Sequence, residues 1–330
     1  GEEKVESLYP AELFFGEMLA GTNFEDDSTR KTSGRNGVGS KAVVIFSKEC
    51  IVEHTDPDAG KKFYQVYRNN GTERDPPKIT AYKNKTGYTS ISFLPDYEYF
   101  GYPGITDDLF CLLKRYVYEC AMITGLNVTL NGEKVISNTL TKYSKLFKYS
   151  ADGKSTSIVS PYTGDECVVI ETEGGSGITG PQFMSWVNGI YTRDGGTHVT
   201  PWVRKIVDNF TKTFNSKRKA SEKLAEAKHV YPFLMFFVRS EISGAAFSGQ
   251  TKDKCVSPTA LVDENNKEQK AKFNEDVSKV IASMMKWKFV ERLKDALASA
   301  VEMELDRLEN KKEGSNIGIK TKYPKLNDAN

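Results

Sequence analysis

The sequence predicts an α+β fold in two successive units, closed by a long helix, and three observations predict it. Short β-branched and aromatic runs alternate with Asn/Gly turns over residues 50–94, and a clear helical period follows over 106–123. The run Val230–Arg239 is nearly all apolar, as a strand buried on both faces requires. Apolar residues at helical spacing then fill 274–309. A chain of 330 residues gives two such units room for a core each.

Taken in order, residues 9–20 follow Tyr9-Pro10 and place Leu13, Phe14 and Met18 on one helical face, and Lys41–Ser47 reads as a buried helix. Cys50–His54, Lys62–Arg68, Thr80–Tyr82 and Tyr88–Leu94 read as strands, with turns at Asn69-Asn70-Gly71 and Asn84-Lys85-Thr86-Gly87. Leu109, Leu112, Leu113, Tyr116 and Cys120 share one face of a helix over Thr106–Ile123. Asn127–Glu133 is a strand entering an Asn-Gly turn. In the second unit Ser157–Ser160 and Glu166–Glu173 are strands, and Ile178–Tyr191 carries Phe183, Trp186 and Val187. Pro201 starts a helix, since proline suits a first helical position. After the buried run Val230–Arg239, one long helical region covers Asn274–Glu309, where Met284, Met285 and Trp287 sit at core spacing. Lys312–Asn330 is polar with little periodicity and reads as a linker.

Composition excludes several classes. The formal net charge is +2, so contact with a polyanion has to come from local patches. Three scattered His and the unpaired Cys50, Cys111, Cys120, Cys167 and Cys255 make neither a zinc site nor a disulfide framework. A reducing, intracellular compartment fits these thiols. No apolar run reaches the length of a membrane span, and the chain opens in charged residues, as if mid-protein, rather than in a secretion signal. Asn127-Val128-Thr129 and Asn209-Phe210-Thr211 match the glycosylation pattern, but nothing else in the sequence suggests secretion.

The segment Thr32–Lys41 carries the most chemistry. Gly34, Gly37 and Gly39 let the backbone turn and approach a ligand closely, and Arg35 and Lys41 supply positive charge beside them. Such a loop opening a helix is an anion site, phosphate being the usual anion. A plain turn and helix cap remains the alternative. The spacing is neither a Walker loop nor a dinucleotide-binding fingerprint. A second cluster, Lys212–Lys228, sets six Lys/Arg residues, Lys217, Arg218 and Lys219 among them, against Glu222 and Glu226. Both a solvated face and a phosphate-contacting patch are open for it.

Leu19–Asp27 followed by Ser33–Lys41 resembles the ATP lid of the type IIA DNA topoisomerases, members of the gyrase, Hsp90, histidine kinase and MutL (GHKL) nucleotide fold. The resemblance is closest to the eukaryotic and viral branch, although Val38, Ser40 and Gly21 stand where that branch usually has an aromatic, Ala and Ser. Gly195-Gly196-Thr197-His198 resembles a motif of the same family's transducer domain, and Ser248-Gly249-Gln250-Thr251-Lys252 resembles its Gln-Thr-Lys loop. Tyr323–Asn330 resembles the stretch leading to the Toprim domain, so the resemblance covers nearly the whole chain in one order.

That resemblance implies a partial GHKL (Bergerat) α/β sandwich with the ATP lid over 1–146, a ribosomal-S5-like transducer over 147–310 with its long C-terminal helix, and a linker over 311–330. It implies ATP as ligand, with Thr22 and Asn23 near ribose and phosphate. Arg35, Asn36, Gly37, Val38, Gly39, Ser40 and Lys41 would form the phosphate-facing loop. Gln250 and Lys252 would sense the γ-phosphate, Lys252 stabilising transition-state charge. The family's catalytic Glu, its Mg²⁺-holding Asn and its adenine-binding Asp lie upstream of the lid. This chain is thus expected to hold no metal ligand and to lack a full catalytic site by itself. Duplex DNA, a second copy of the chain and the DNA-cleaving Toprim region are the implied partners, with Lys217, Arg218 and Lys219 where relatives place a basic loop facing DNA. His198 reads first as a buried structural residue. A hydrolysis-incompetent DNA-binding or GHKL-type chaperone or scaffold module is the competing class.

Overall fold

In the computed structural model, residues 8–18, 20, 37–147, 153–175 and 177–320 are described, with backbone alone at 304, 307 and 309–320. Two compact units divide at Tyr116/Val117. The first contains α1 (Pro10–Gly16), α2 (Gly39–Ile45), β1 (Ser47–Asp56), β2 (Lys61–Arg68), β3 (Glu73–Arg74), β4 (Lys78–Ala81) and β5 (Thr89–Pro95). Its sheet runs β3-β2-β1-β5, with β4 also on β2, and is antiparallel throughout. Strand β1 buries Cys50 and Val52 and β2 buries Phe63 and Tyr67, and Val44 of α2 joins this core. Gln65 is buried but satisfied: its amide donates to Asp75 O (2.9 Å) and Glu12 Oε1 (3.2 Å). Glu12 in turn accepts from Tyr9 N at 3.0 Å, which caps the first turn of α1, while its bond from Gln65 holds that helix to β2.

Helix α3 (Asp107–Thr124) carries the chain across the division. The second unit continues with β6 (Thr129–Leu130), β7 (Glu133–Lys134), α4 (Leu140–Ser144), β8 (Ser155–Val159), β9 (Glu166–Glu171), β10 (Gln182–Val187) and β11 (Ile190–Tyr191). It ends with α5 (Thr200–Asn215), α6 (Ala227–Val230), β12 (Leu234–Ser240), α7 (Lys267–Met284) and α8 (Phe289–Lys320). Its main sheet runs β11-β10-β12-β9-β8, parallel only between β10 and β12. Side-chain alternation along β12 builds a core on each face. Leu234, Phe236 and Val238 pack with α5, α7 and α8, while Met235 and Phe237 pack with Met122, Leu140 and Tyr143. That double burial is why this strand reads as a continuous apolar run.

The α+β class holds, and four local expectations do not. The helix expected over residues 9–20 stops at Gly16, because Glu17 takes extended backbone that ends it. The strand expected over Val230–Arg239 begins only at Leu234, because Val230 ends α6 and Tyr231–Phe233 form a single 3₁₀ turn containing Pro232. The long helix expected over Asn274–Glu309 is two helices. The first is capped by Asn266, whose side chain accepts from Gln269 N at 3.0 Å, and it stops at Met284. Tight turns at Met285–Lys288 follow, and Trp287 and Phe289 are buried on either side of Lys288. Packing of those aromatics, with no Gly or Pro to announce it, sets the break. Finally, the segment read as irregular from Lys312 is helical in backbone as far as Lys320.

One unpredicted clamp ties α8 to the sheet. Arg292 reaches the buried Glu171 at 2.5 Å and donates to Thr172 O and Glu173 O at 3.0 Å each. Its guanidinium also stacks over Phe233.

Candidate functional site

The described end of the glycine-rich loop bears the conformations its sequence requires. Gly37 sits at φ 56, in the left-handed region that glycine occupies without strain. Val38 precedes α2 without a side-chain cap, so the helix itself leaves its first amides open. A Cβ at Gly39 would meet no atom of the described residues within 4 Å. Two side chains of the loop are committed locally: Ser40 Oγ donates to Phe14 O at 2.6 Å, and Lys41 Nζ donates to Ala20 O at 2.9 Å. What Ser40 offers a ligand is its backbone. Lys41 is buried, and desolvation holds its pKa below the ordinary value, with Glu17 opposing the shift. It lines a cavity of about 350 Å³ with Glu17, Met18, Val44, Tyr67 and Arg74. Thr22, Asn23, Arg35 and Asn36 lie outside the described residues.

In the second unit, Gln250 and Lys252 sit at the tip of a small hairpin. Its legs are joined by Val256 N to Ala246 O (2.9 Å) and Ser248 N to Lys254 O (3.0 Å). Lys252 closes the tip by donating its N–H to Gly249 O at 3.1 Å, with φ 59. A non-glycine residue in this region carries strain of roughly 1 kcal/mol or more, and such strain concentrates where function fixes the backbone. The neighbouring Asp253 is engaged with Arg193 at 3.7 Å.

The Gly195–His198 turn adjoins the outer leg of this hairpin. His198 is buried; its Nε2 lies 3.2 Å from Thr192 Oγ1, which in turn lies 2.7 Å from Ser185 Oγ on β10. Burial pushes its pKa down to about 4, so the imidazole is neutral and structural at pH 7. A cavity of about 690 Å³, invisible in the sequence, opens beside the turn and is lined by Phe183, Thr197, Arg204, Tyr231 and Lys254.

The basic cluster follows the end of α5. Lys217 and Lys219 are exposed. Arg218 is not: its guanidinium lies 5.3 Å from the Phe214 ring centroid and its Nε 3.6 Å from Glu222. Two of the three residues thus present charge to solvent. Among the described residues no three His, Cys, Asp or Glu side chains gather where they could hold a metal ion. None of their helices is long and apolar enough to cross a membrane.

Comparisons with known proteins agree with one another. Residues 176–314, which include the hairpin and the Gly195–His198 turn, match the family model described as DNA gyrase B. The chain is 32% identical over 294 residues to DNA topoisomerase 2 of Invertebrate iridescent virus 6, covering 88% of this chain and 24% of that protein. It is 31% identical over 338 residues to DNA topoisomerase 2 of Saccharomyces cerevisiae, covering 98% and 22%. It therefore spans about a quarter of the length of the curated relatives it matches. Among solved structures, the ATPase region of S. cerevisiae topoisomerase II superimposes with a TM-score of 0.70 at 27% identity, covering 88% of this chain and 72% of that one. The ATPase and transducer domains of DNA topoisomerase II from Balamuthia mandrillaris give 0.72 at 26% identity, covering 91% and 73%.

Proposed function

We infer that this chain, a topoisomerase II-like ATPase and transducer region, is the phosphate-facing and force-transmitting part of an ATP-dependent type IIA DNA topoisomerase. The observation that carries this reading is the left-handed backbone of Lys252 at a hairpin tip inside the matched region. The functional division we propose is 1–146 for nucleotide binding, 147–310 for the transducer and 311–330 for the connection onward.

ATP supplies the bond whose cleavage drives the cycle. Backbone amides of Gly37, Val38, Gly39 and Ser40, with Arg35, Asn36 and Lys41, would face its phosphates, and Thr22 and Asn23 the ribose side. Lys252 and Gln250 would meet the γ-phosphate, where a positioned cation counters the charge that develops during transfer. The resemblance would put the Mg²⁺-holding Asn in the quarter or so of the relatives' ATPase region that the match leaves uncovered. Apolar residues of β5, Ile91, Phe93 and Leu94, are 45%, 51% and 55% exposed, which supports that remainder packing there.

Downstream, the Arg292–Glu171 clamp would make α8 move with the sheet, so that a displaced hairpin is felt along the helix. ATP can drive closure of two copies around DNA only by binding the closed state more tightly than the open one. Lys217 and Lys219 would contact duplex phosphates without reading sequence. An intracellular setting is part of the same proposal, supported by free thiols at all five cysteines.

The test is ATP turnover by this chain joined to the rest of its ATPase region, with and without duplex DNA. DNA-stimulated turnover that falls about a hundredfold in Lys252→Ala is the expected outcome. Turnover unchanged in Lys252→Ala would refute the role of that lysine. A well-folded joined protein that binds DNA and never hydrolyses ATP would leave a scaffold.

A further inference from the structure

The Gly195-Gly196 pair has one close neighbour on each side. A Cβ on Gly195 (φ 66) would lie 2.7 Å from the Phe183 ring on β10. A Cβ on Gly196 (φ 137) would lie 2.1 Å from Cys255 O and 2.8 Å from Cys255 N, both backbone atoms of the Lys252 hairpin. Neither backbone conformation suits a side chain, and at Gly196 the obstacle is main chain that cannot swing aside. The two glycines therefore set how closely the hairpin leg approaches β10.

Hydrogen bonds run across this approach. Cys255 N donates to Gly195 O (3.0 Å), Thr197 N to Cys255 O (3.1 Å) and Asp194 N to Asp253 O (2.9 Å). Thr197 Oγ1 also donates to Ser257 O, and Thr259 Oγ1 to Thr197 O at 2.8 Å. Cys255 is bridged on its other side to Phe247, so the leg is the middle of a three-stranded patch. On the sheet side, His198 and Thr192 link the turn to Ser185 of β10. Lys252 stands three residues from Cys255, and no helix or strand of its own anchors the tip.

We propose that Gly195 and Gly196 are positioning residues for Lys252: the pair seats the hairpin on β10 and so fixes where its ammonium stands relative to the transducer sheet. This rests on the reading of Lys252 as the γ-phosphate lysine. It assigns the Gly-Gly-Thr-His turn a mechanical task without contact to nucleotide. The two glycines differ in degree, because Phe183 can rotate away from a new Cβ whereas Cys255 main chain has to shift. Gly196→Ala should therefore act more strongly than Gly195→Ala.

Two readouts test this in the chain joined to the rest of its ATPase region. The first is labelling of Cys255, which has no exposed surface, by a thiol reagent, read by peptide mass spectrometry with the exposed Cys111 and Cys120 as internal standards. Labelling about tenfold faster in Gly196→Ala is expected, as for local opening without global unfolding. Cys255 as protected in Gly196→Ala as in the parent would overturn the proposal. The second is a double-mutant cycle on kcat. Gly196→Ala should lower kcat about tenfold with KM for ATP within about threefold, and should lower it no further in a Lys252→Ala background. Effects that multiply would mean that the glycine acts on general stability and not through Lys252. Should Gly196→Ala not fold, Thr197→Val is substituted: it loses the bond to Ser257 O and should show the same pattern more weakly, with Thr197→Ser restoring the parent values. The two failures are separable. Lys252→Ala without effect on turnover refutes the lysine's role and with it the functional half of this inference, while faster Cys255 labelling would still show the anchor.

Discussion

Strands β5 and β12 are both rich in large apolar residues, and their environments are opposite. Phe236 and Phe237 of β12 are fully buried, whereas Phe93 and Leu94 of β5 are half exposed. Both faces of β12 are covered, one by α5, α7 and α8 and the other by residues 122–143. Among the described residues, strand β5 is the edge of its sheet and pairs with β1 alone. Exposed apolar edge strands are an aggregation hazard that folded proteins cover. Among the described residues, the second unit thus covers its central strand on both faces, while the first leaves apolar side chains of β5 half exposed.

Alanine substitutions sharpen the contrast most. Phe236→Ala should destabilise the second unit by about 3–5 kcal/mol, through lost burial and a cavity. Phe93→Ala should change stability of the chain alone by less than about 0.5 kcal/mol, as at a surface position. Denaturant melts of both variants check this, and a large loss at Phe93 would mean that β5 is already covered.

Next in size is the pH response of the closed unit. His198 has a folded pKa of about 4 against 6.5 for the free side chain, so the unfolded chain takes up the proton first. Stability from this group is complete above pH 6.5, falls as the pH drops below it, and is fully lost only near pH 4. Between pH 8 and pH 5 the loss should be about 2 kcal/mol. Urea midpoints in the parent and in His198→Gln measure it; equal pH slopes in the two would show that the imidazole is not held neutral.

The smallest effect belongs to the surface of the second unit. Lys217→Ala with Lys219→Ala should weaken binding to any duplex by about 1 kcal/mol and reduce the salt slope by at most about 2. Arg218→Ala should add less, since its guanidinium is spent on Phe214 and Glu222. A salt slope unaltered by the double substitution would place the DNA elsewhere.

What the sequence disclosed follows from the physics of each signal. Alternation located β1 and β2, because half-buried strands write their burial with a period of two, and Pro201 marked the start of α5. Helical spacing located α3, although Leu112, Leu113 and Tyr116 of the stripe that marked it are exposed and its buried residues are Glu119, Ala121 and Met122. The Asn131-Gly132 turn was legible for a similar reason: both residues take positive φ between β6 and β7. The break at Met285–Lys288 was hidden, since it comes from tertiary burial of Trp287 and Phe289 rather than from a helix breaker. At the proposed site, the glycine-rich stretch itself singled out Gly37, and motif resemblance singled out Lys252. The doubled glycine at 195–196 was the one local sign of a close approach, and nothing local pointed to Cys255 as its partner. Arg292 and Glu171 lie too far apart in sequence for any pattern to pair them. Similarly, Arg218 looked no different from Lys217 until its stacking on Phe214 was seen.

The central claim is that this chain carries the phosphate-facing part of an ATPase whose open face receives the rest. The most direct measurement is ATP turnover of the chain alone and after addition of the remaining ATPase region, with binding of an apolar fluorescent dye followed in parallel. The account predicts no turnover and strong dye binding alone, then DNA-stimulated turnover and loss of dye on complementation. Robust turnover by the chain alone, or dye that stays bound when the remainder is added, would contradict it.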